Sequence, residues 1–239
     1  MVIAEVETIL VVAAEAREVG GLLARCSRVQ HLRWPVDYAR RAELTGRQFL
    51  IVCNGAGAAR ATEAFDVAVG QGRIDRVVSA GTCGALDPVL KPGDIFVASK
   101  VEVPEPAASF MVEEPASTRV HATGTLVSVN QVVRTVAEKS ALRASGAGAV
   151  EMEAAGVAAR ASLTGVPFYC VRVVLDTADE EFSIDFEAAR GSDGRLRTSR
   201  ILGSALGRPW TRIPELFGLY WRSRVAARSL GDFLADCRF

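Results

Sequence analysis

Thr8-Ile9-Leu10-Val11-Val12-Ala13-Ala14 is a short, nearly continuous apolar run, the pattern of a strand buried on both faces. The pattern recurs at Phe49-Leu50-Ile51-Val52-Cys53, Arg76-Val77-Val78-Ser79-Ala80, Asp94-Ile95-Phe96-Val97-Ala98, Thr125-Leu126-Val127-Ser128-Val129 and Pro167-Phe168-Tyr169-Cys170-Val171-Arg172-Val173-Val174. Between several of these runs lie Ala-rich segments of helical length, Ala58 to Gly70 and Ala154 to Leu163. Strands that alternate with helices predict an α/β sheet with helices on both faces.

The chain has 239 residues, enough for a substantial core in one large domain or two small ones. Apolar residues make up 49% and charged residues 23%, which excludes wholesale disorder and a fibrous repeat. Lys+Arg and Asp+Glu both total 28, so there is no global positive field of the kind that holds nucleic acid, and no nucleic-acid partner is expected. The balance is uneven: from Arg190 to the end there are ten Arg against four acids, and the first 189 residues carry the compensating negative charge. No stretch is apolar for the roughly 18–20 residues a membrane span needs, and no basic start leads into an apolar run, so a cytoplasmic location is expected.

Cys26, Cys53, Cys83, Cys170 and Cys237 are scattered without a C-x-x-C pair, and the two histidines, His31 and His121, lie far apart. Neither a metal site, nor a disulfide framework, nor a His-dependent triad is expected, and the cysteines read as small buried apolar side chains.

The sharpest local signals stand where strand runs end: Asn54-Gly55-Ala56-Gly57, Ala80-Gly81-Thr82-Cys83-Gly84 and Asp176-Thr177-Ala178-Asp179. Open α/β sheets bind ligands outside the carboxyl ends of their strands, so these edges should converge on one pocket. Gly55-x-Gly57 lacks the third glycine of a dinucleotide fingerprint, and no Gly-Lys-Ser/Thr follows it, which leaves a tight turn or a contact to a small ligand. The Thr82 hydroxyl, set among small residues, would let O–H and backbone N–H groups converge on an anion or a nucleophilic water; a plain turn is the alternative. In Val150-Glu151-Met152-Glu153 two carboxylates flank a methionine at the entry to an Ala-rich helix. With a strand-like entry both carboxylates point to one side and can accept the hydroxyls of a ribose over an apolar Met floor; otherwise both cap the helix start. Asp176 either closes the strand as a turn residue or, desolvated at the sheet edge, serves as a general acid near neutral pH.

Taken in order, Gly81-Thr82-Cys83-Gly84-Ala85-Leu86, Lys91-Pro92-Gly93-Asp94-Ile95, Val150-Glu151-Met152-Glu153 and Pro167-Phe168 leading to Asp176-x-x-Asp179 resemble the nucleoside phosphorylase and nucleosidase superfamily, from about Ile9 to Asp179. The sequence is especially similar to methylthioadenosine/S-adenosylhomocysteine nucleosidases and to hopanoid-associated phosphorylases. The latter share the tail pattern Asp193-Gly194-Arg195, Gly207-Arg208-Pro209 and Ile213-Pro214-Glu215-Leu216. The resemblance implies a central mixed, mostly parallel sheet flanked by helices, a catalytic domain over 1–189, and a basic, aromatic-containing helical extension over 190–239 packed on it. It implies an enzyme that cleaves the N-glycosidic bond of a purine (adenine) nucleoside with a large 5′ substituent, an adenosylhopane-like lipid being the specific expectation. A hydrolytic methylthioadenosine/S-adenosylhomocysteine-type nucleosidase is the first alternative, and a noncatalytic nucleoside- or lipid-binding homologue the second. No cofactor is implied, inorganic phosphate is a candidate co-substrate, and a homo-oligomer, dimer or larger, is expected.

Residue by residue, the resemblance implies that Met152 and Glu153 hold the ribose with Glu151 beside them, and that Asp176 protonates or hydrogen-bonds N7 of the leaving purine. Glu18 stands where nucleosidases carry the acid that activates water, and Thr82, with Gly81 and Gly55, falls near the nucleophile. Breaking the C1′–N9 bond builds a cationic sugar and an anionic base, so such a site must neutralise the base and present a nucleophile from the other face. Three departures stand out. Ser79 occupies the place of an arginine in the hexameric purine phosphorylases, which leaves Arg60 as the nearest candidate cation for phosphate. No base-stacking aromatic occurs in Val127-Ser128-Val129-Asn130-Gln131-Val132, and Leu175 stands where nucleosidases have a serine. The tail sets Trp210, Phe217, Tyr220, Trp221 and Phe233 among Arg208, Arg212, Arg222, Arg224 and Arg228. It reads either as a terminal helix packed on the core or on another subunit, or as a surface for lipid or an anionic membrane.

Overall fold

The computed structural model describes residues 6–182 and 209–239. In chain order the elements are β1 (Thr8–Ala13), α1 (Ala16–Leu23), β2 (Ser27–His31), β3 (Tyr38–Leu44), β4 (Arg47–Cys53), α2 (Ala58–Val69), β5 (Arg76–Ala85), β6 (Ile95–Val103), β7 (Ala108–Met111), β8 (Ala122–Ser128), α3 (Val136–Arg143), β9 (Ala147–Glu151), α4 (Ala154–Thr164), β10 (Phe168–Asp176) and α5 (Pro209–Asp236).

The strands form one sheet in the order β10-β6-β8-β9-β5-β1-β4-β3-β2, and β10 also pairs with β5. That extra pairing closes β5, β10, β6, β8 and β9 into a barrel, from which β1, β4, β3 and β2 extend as an open wing. The expected mostly parallel sheet needs correction. Among the described strands five pairings are parallel and five antiparallel. Continuous apolar runs flag strands covered on both faces, which favours parallel neighbours. The antiparallel partners β2 and β7 have mostly exposed side chains and leave no such signature.

Both faces of the wing are covered, which accounts for the unbroken run at Thr8–Ala13. Leu10 and Val12 pack with Leu50 and Val52 under Phe65 of α2 and Val157 of α4. On the other face Ile9, Val11, Phe49 and Ile51 pack under Val19 and Leu22 of α1 and Leu230 and Phe233 of α5. Full burial of each such side chain contributes about 1.5–3 kcal/mol, so α5 is fixed by its core-facing residues. Its outer face exposes Phe217, Trp221 and Val225. Among the described residues no helix is long and apolar enough to cross a membrane. The expected boundary between 189 and 190, and the tail motifs Asp193-Gly194-Arg195 and Gly207-Arg208, lie outside the described residues.

Strands β1, β4, β5 and β10 run parallel, so their carboxyl ends share one edge. At that edge β10 carries a bulge: Val174 lies opposite Cys83 and Asp176 opposite Gly84, leaving Leu175 as the extra residue. A bulge re-aims the side chains beyond it.

Candidate active site

A cavity of about 490 Å³ opens at the shared strand edge, and Glu18, Thr82, Glu151, Met152, Glu153 and Asp176 all line it. This volume falls in the usual range for small-molecule sites. Six residues separated by up to 158 positions in the chain thus meet in one place, because β5, β10, α1 and the passage from β9 into α4 deliver them there.

Glu18 belongs to the first turn of α1, where the free N–H groups of a helix start attract a carboxylate. Its Oε2 accepts from the N–H groups of Ala14 at 3.1 Å and Glu15 at 3.0 Å. Its Oε1 accepts from the Thr82 N–H at 3.0 Å and the Thr82 hydroxyl at 3.1 Å. Three of these donors are fixed backbone. The Thr82 hydroxyl alone can rotate away, so it is the bond a ligand or water can replace. Gly81 stands directly behind the pair: a Cβ there would lie 3.0 Å from Glu18 Oε1.

The two glutamates of Val150-Glu151-Met152-Glu153 part company. Strand β9 stops at Glu151, and Glu153 adopts helical angles (φ −114°, ψ −36°) ahead of α4. Glu151 Oε2 caps α4, accepting from Glu153 N at 2.9 Å and Ala154 N at 2.8 Å, and is also paired with Arg172 at 2.5 Å. Its Oε1 is buried and accepts no hydrogen bond. Glu153 makes a different contact, accepting from the Gly57 N–H at 2.8 Å. Burial, with the Glu151 charge alongside, pushes the Glu153 carboxyl up to about 8 against the pull of Arg172. Helix capping and an acid that lines the cavity without capping therefore coexist in the segment, on different glutamates.

Asp176 is buried, and burial raises its carboxyl above the usual range although Lys139 opposes the shift. Lys139 Nζ reaches Asp176 Oδ2 at 2.5 Å. Gly84 leaves room for the acid: a Cβ there would meet Asp176 Oδ2 at 3.1 Å. Cys53, Cys83, Cys170 and Cys237 are buried as expected, whereas Cys26 is only half-buried. Cys83 beside this site is buried, and desolvation pushes its thiol well up, away from nucleophilic character.

Two expected site residues stand elsewhere. Gly55 does not line the cavity; its N–H donates to the Ala14 carbonyl at 2.9 Å, which holds the β4 turn against the end of β1. Arg60 also lies outside the lining, facing Glu63 one helical turn on at 3.7 Å. Sequence proximity to the glycine turn put both forward, but α2 carries Arg60 away from the cavity. The cation beside Ser79 comes instead from β10: Arg172 Nη2 donates to Ser79 Oγ at 2.8 Å.

The structure adds residues beyond the expected site set, among them Leu216 and Tyr220 from the tail. Glu15 and Arg17 form an ion pair at 2.7 Å on the cavity rim. Phe182 and Tyr220 supply aromatic rings to the cavity from the segment after β10 and from α5, and Leu216 and Leu219 extend the α5 wall. The capping box Thr135-x-x-Glu138, with Thr135 Oγ1 accepting from Glu138 N at 3.2 Å, was a legible signal for α3 and hence for Lys139.

A family model described as the phosphorylase superfamily matches residues 8–206. The chain belongs to the phosphorylase superfamily. Among curated superfamily relatives, a 5′-methylthioadenosine/S-adenosylhomocysteine nucleosidase of Staphylococcus aureus is 26% identical over 172 residues, spanning 61% of this chain and 75% of the relative. The crystal structure of the corresponding enzyme from Neisseria meningitidis, in complex with methylthio-immucillin-A, matches with a TM-score of 0.72 at 20% identity, over 97% of this chain and 98% of that one. Futalosine hydrolase of Helicobacter pylori matches with a TM-score of 0.68 at 19% identity, over 96% of each chain. The two solved structures share the superfamily fold with this chain.

Proposed function

We propose that this protein hydrolyses the N-glycosidic bond of an adenine nucleoside, releasing the base and a free sugar. The observation that carries the reading is the pairing of charges around the cavity. Among the described residues, four cations in or beside it each face a carboxylate: Arg17 with Glu15, Lys139 with Asp176, Arg172 with Glu151 and Arg222 with Glu180. Among the described residues, a phosphate dianion would therefore meet the Glu18 carboxylate with these four cations already paired. Two like charges about 5 Å apart at an effective dielectric near 20 repel by roughly 3 kcal/mol. Water meets no such barrier, and Glu18 with Thr82 offers it an acceptor and a hydroxyl. The curated relatives, nucleosidases by name, support the same choice over the hopanoid-associated phosphorylase suggested by the tail.

In this reading Asp176, whose hold on a proton burial strengthens, gives that proton to N7 of the purine as the C1′–N9 bond breaks. Glu153, with Glu151 Oε1 in the adjoining wall, takes the ribose hydroxyls, and Met152 lies against the sugar. Glu18 exchanges its bond from the Thr82 hydroxyl for one from water and accepts a water proton as the oxygen bonds to C1′. One proton leaves Asp176 and one arrives on Glu18, so exchange with solvent resets the site. Phe182 supplies the ring against the base that the segment 127–132 lacks. Leu216, Leu219 and Tyr220 form an apolar wall suited to a 5′ substituent such as a thioether.

The test is base release from 5′-methylthioadenosine, S-adenosylhomocysteine and adenosine, with and without phosphate, with the sugar product identified. Free sugar at a rate indifferent to phosphate is the expected result. A sugar 1-phosphate overturns the choice of nucleophile, and no release from any of the three overturns the reading.

A further inference from the structure

Lys139 is the only buried residue of α3 and is 1% exposed. Its ammonium donates to Asp176 Oδ2 at 2.5 Å, to the Thr177 carbonyl at 2.6 Å and to the Glu180 carbonyl at 2.9 Å, which uses all three protons. Burying an ammonium costs several kcal/mol, and an apolar side chain of similar length would fill the same space without that cost. The charge is therefore the property to be explained, and the carboxylate it faces is the one assigned to proton donation.

We propose that Lys139 is a positioning residue for the proton donor: it clamps Asp176 Oδ2, leaves Oδ1 to carry the transferred proton, and stabilises the carboxylate that remains once the proton has gone. The proposal rests on the hydrolase reading for its catalytic consequence, while the electrostatic link between the two side chains stands independently. Lys139 keeps its own protons throughout, so the proton count of the reaction is unchanged. Through Thr177 and Glu180 the same ammonium holds the segment that brings Phe182 to the cavity, and it lies 5.6 Å from the centre of that ring. Asp176 faces Lys139 from α3, Glu180 from its own loop, Arg222 from α5 and the Cys83 thiol from β5. Arg222 and Glu180 are paired at 2.6 Å and largely offset one another, which leaves Lys139 as the dominant charge on the acid.

The experiment replaces Lys139 with methionine and reads Asp176 directly, by carbon-13 NMR titration of its carboxyl group, assigned with Asp176→Asn. An opposite charge at this range shifts a carboxyl by about 1–3 pH units, so the Asp176 midpoint should rise by at least roughly one unit in Lys139→Met. With substrate, kcat should fall roughly 10- to 100-fold with KM nearly unchanged, and the high-pH limb of the rate profile should move up by the same interval as the NMR midpoint. An unmoved titration in a folded Lys139→Met protein overturns the proposal and leaves the hydrolase reading intact. A shifted titration in a protein whose wild type releases no base sustains the electrostatic link and removes the hydrolase reading. Should Lys139→Met not fold, the double variant Lys139→Met/Asp176→Asn decides: recovery of folding identifies an unpaired buried charge as the fault and supports the pair, and continued failure assigns Lys139 to packing and overturns the proposal.

Discussion

Glu153 and Asp176 are both carboxyls raised by burial, and the same burial that suits them to a nucleoside works against the fold at high pH. A raised folded-state value means that the folded protein prefers the protonated acid, so the cost of Glu153 is absent below the unfolded value near 4.5 and grows as pH climbs toward about 8. Glu153→Gln should therefore melt above wild type at pH 9, with the gap closing toward pH 5. The difference is bounded by about 1.4 kcal/mol for each pH unit crossed. The same variant should lose most of its activity, because an NH2 group, which cannot accept, replaces one carboxyl oxygen facing the ribose; melting curves and base-release assays across pH check both halves. Asp176→Asn should lose roughly 10²–10⁴ in kcat, since the amide cannot give N7 a proton. Glu18→Gln should fall by a similar factor on the water side. With Asp176 as the acid, wild-type activity should decline as pH rises through its elevated value, and Glu18→Gln should leave that alkaline decline in place. Titrated rate profiles of both variants distinguish the two roles.

Among the elements, the apolar strands were legible because each is covered on both sides, and the Ala-rich helices because α2 and α4 must lie close to the sheet. β5 and β10 run further than their apolar cores suggest, to Ala85 and Asp176, and these added residues are the ones that reach the cavity. β2 and β7, largely solvent-facing, gave no periodic signal, and neither did the short helix α3. The candidate site was legible where chemistry is concentrated in a motif, as in Glu151-Met152-Glu153 and Gly81–Gly84. It was illegible where one side chain arrives alone from a distant element, as Phe182 does; for Lys139 and Tyr220 the sequence marked a helix start and an aromatic tail without tying either to the cavity. The segment carrying Phe182 is braced on the α3 entry: Phe182 N–H donates to the Arg134 carbonyl at 3.1 Å, and Val136 N–H to Glu181 Oε1 at 3.1 Å. Stacking of an aromatic on a base is worth about 1–3 kcal/mol, so Phe182→Ala should raise KM by roughly 5- to 100-fold with a smaller change in kcat. Steady-state kinetics check this, and an unchanged KM would show that the base lies against another wall.

For the molecule as a whole, the decisive junction is the crossing of α1 and α5, because one helix carries Glu18 and the other walls the cavity. The crossing is so close that a Cβ on Gly231 would overlap the backbone of Gly21 and Leu22, and a Cβ on Gly21 would overlap the carbonyl of Ala227. Backbone cannot yield as a flexible side-chain tip can, so Gly231→Ala must push the helices apart or shift one along the other. Overpacking of this kind costs about 1–3 kcal/mol. The same displacement moves Glu18 relative to Thr82 on β5, which does not move with α1. Base release should consequently fall by more than the stability loss accounts for, under conditions where the variant is still fully folded. Phe233→Ala supplies the contrast: its side chain is fully buried in the core under α5, so truncation should cost about 3–5 kcal/mol in a urea melt. Because it opens a cavity without forcing the crossing apart, the folded fraction should keep most of its activity. If the two variants instead lose activity in proportion to their loss of stability, the α1–α5 crossing holds the fold together without setting the geometry of the site.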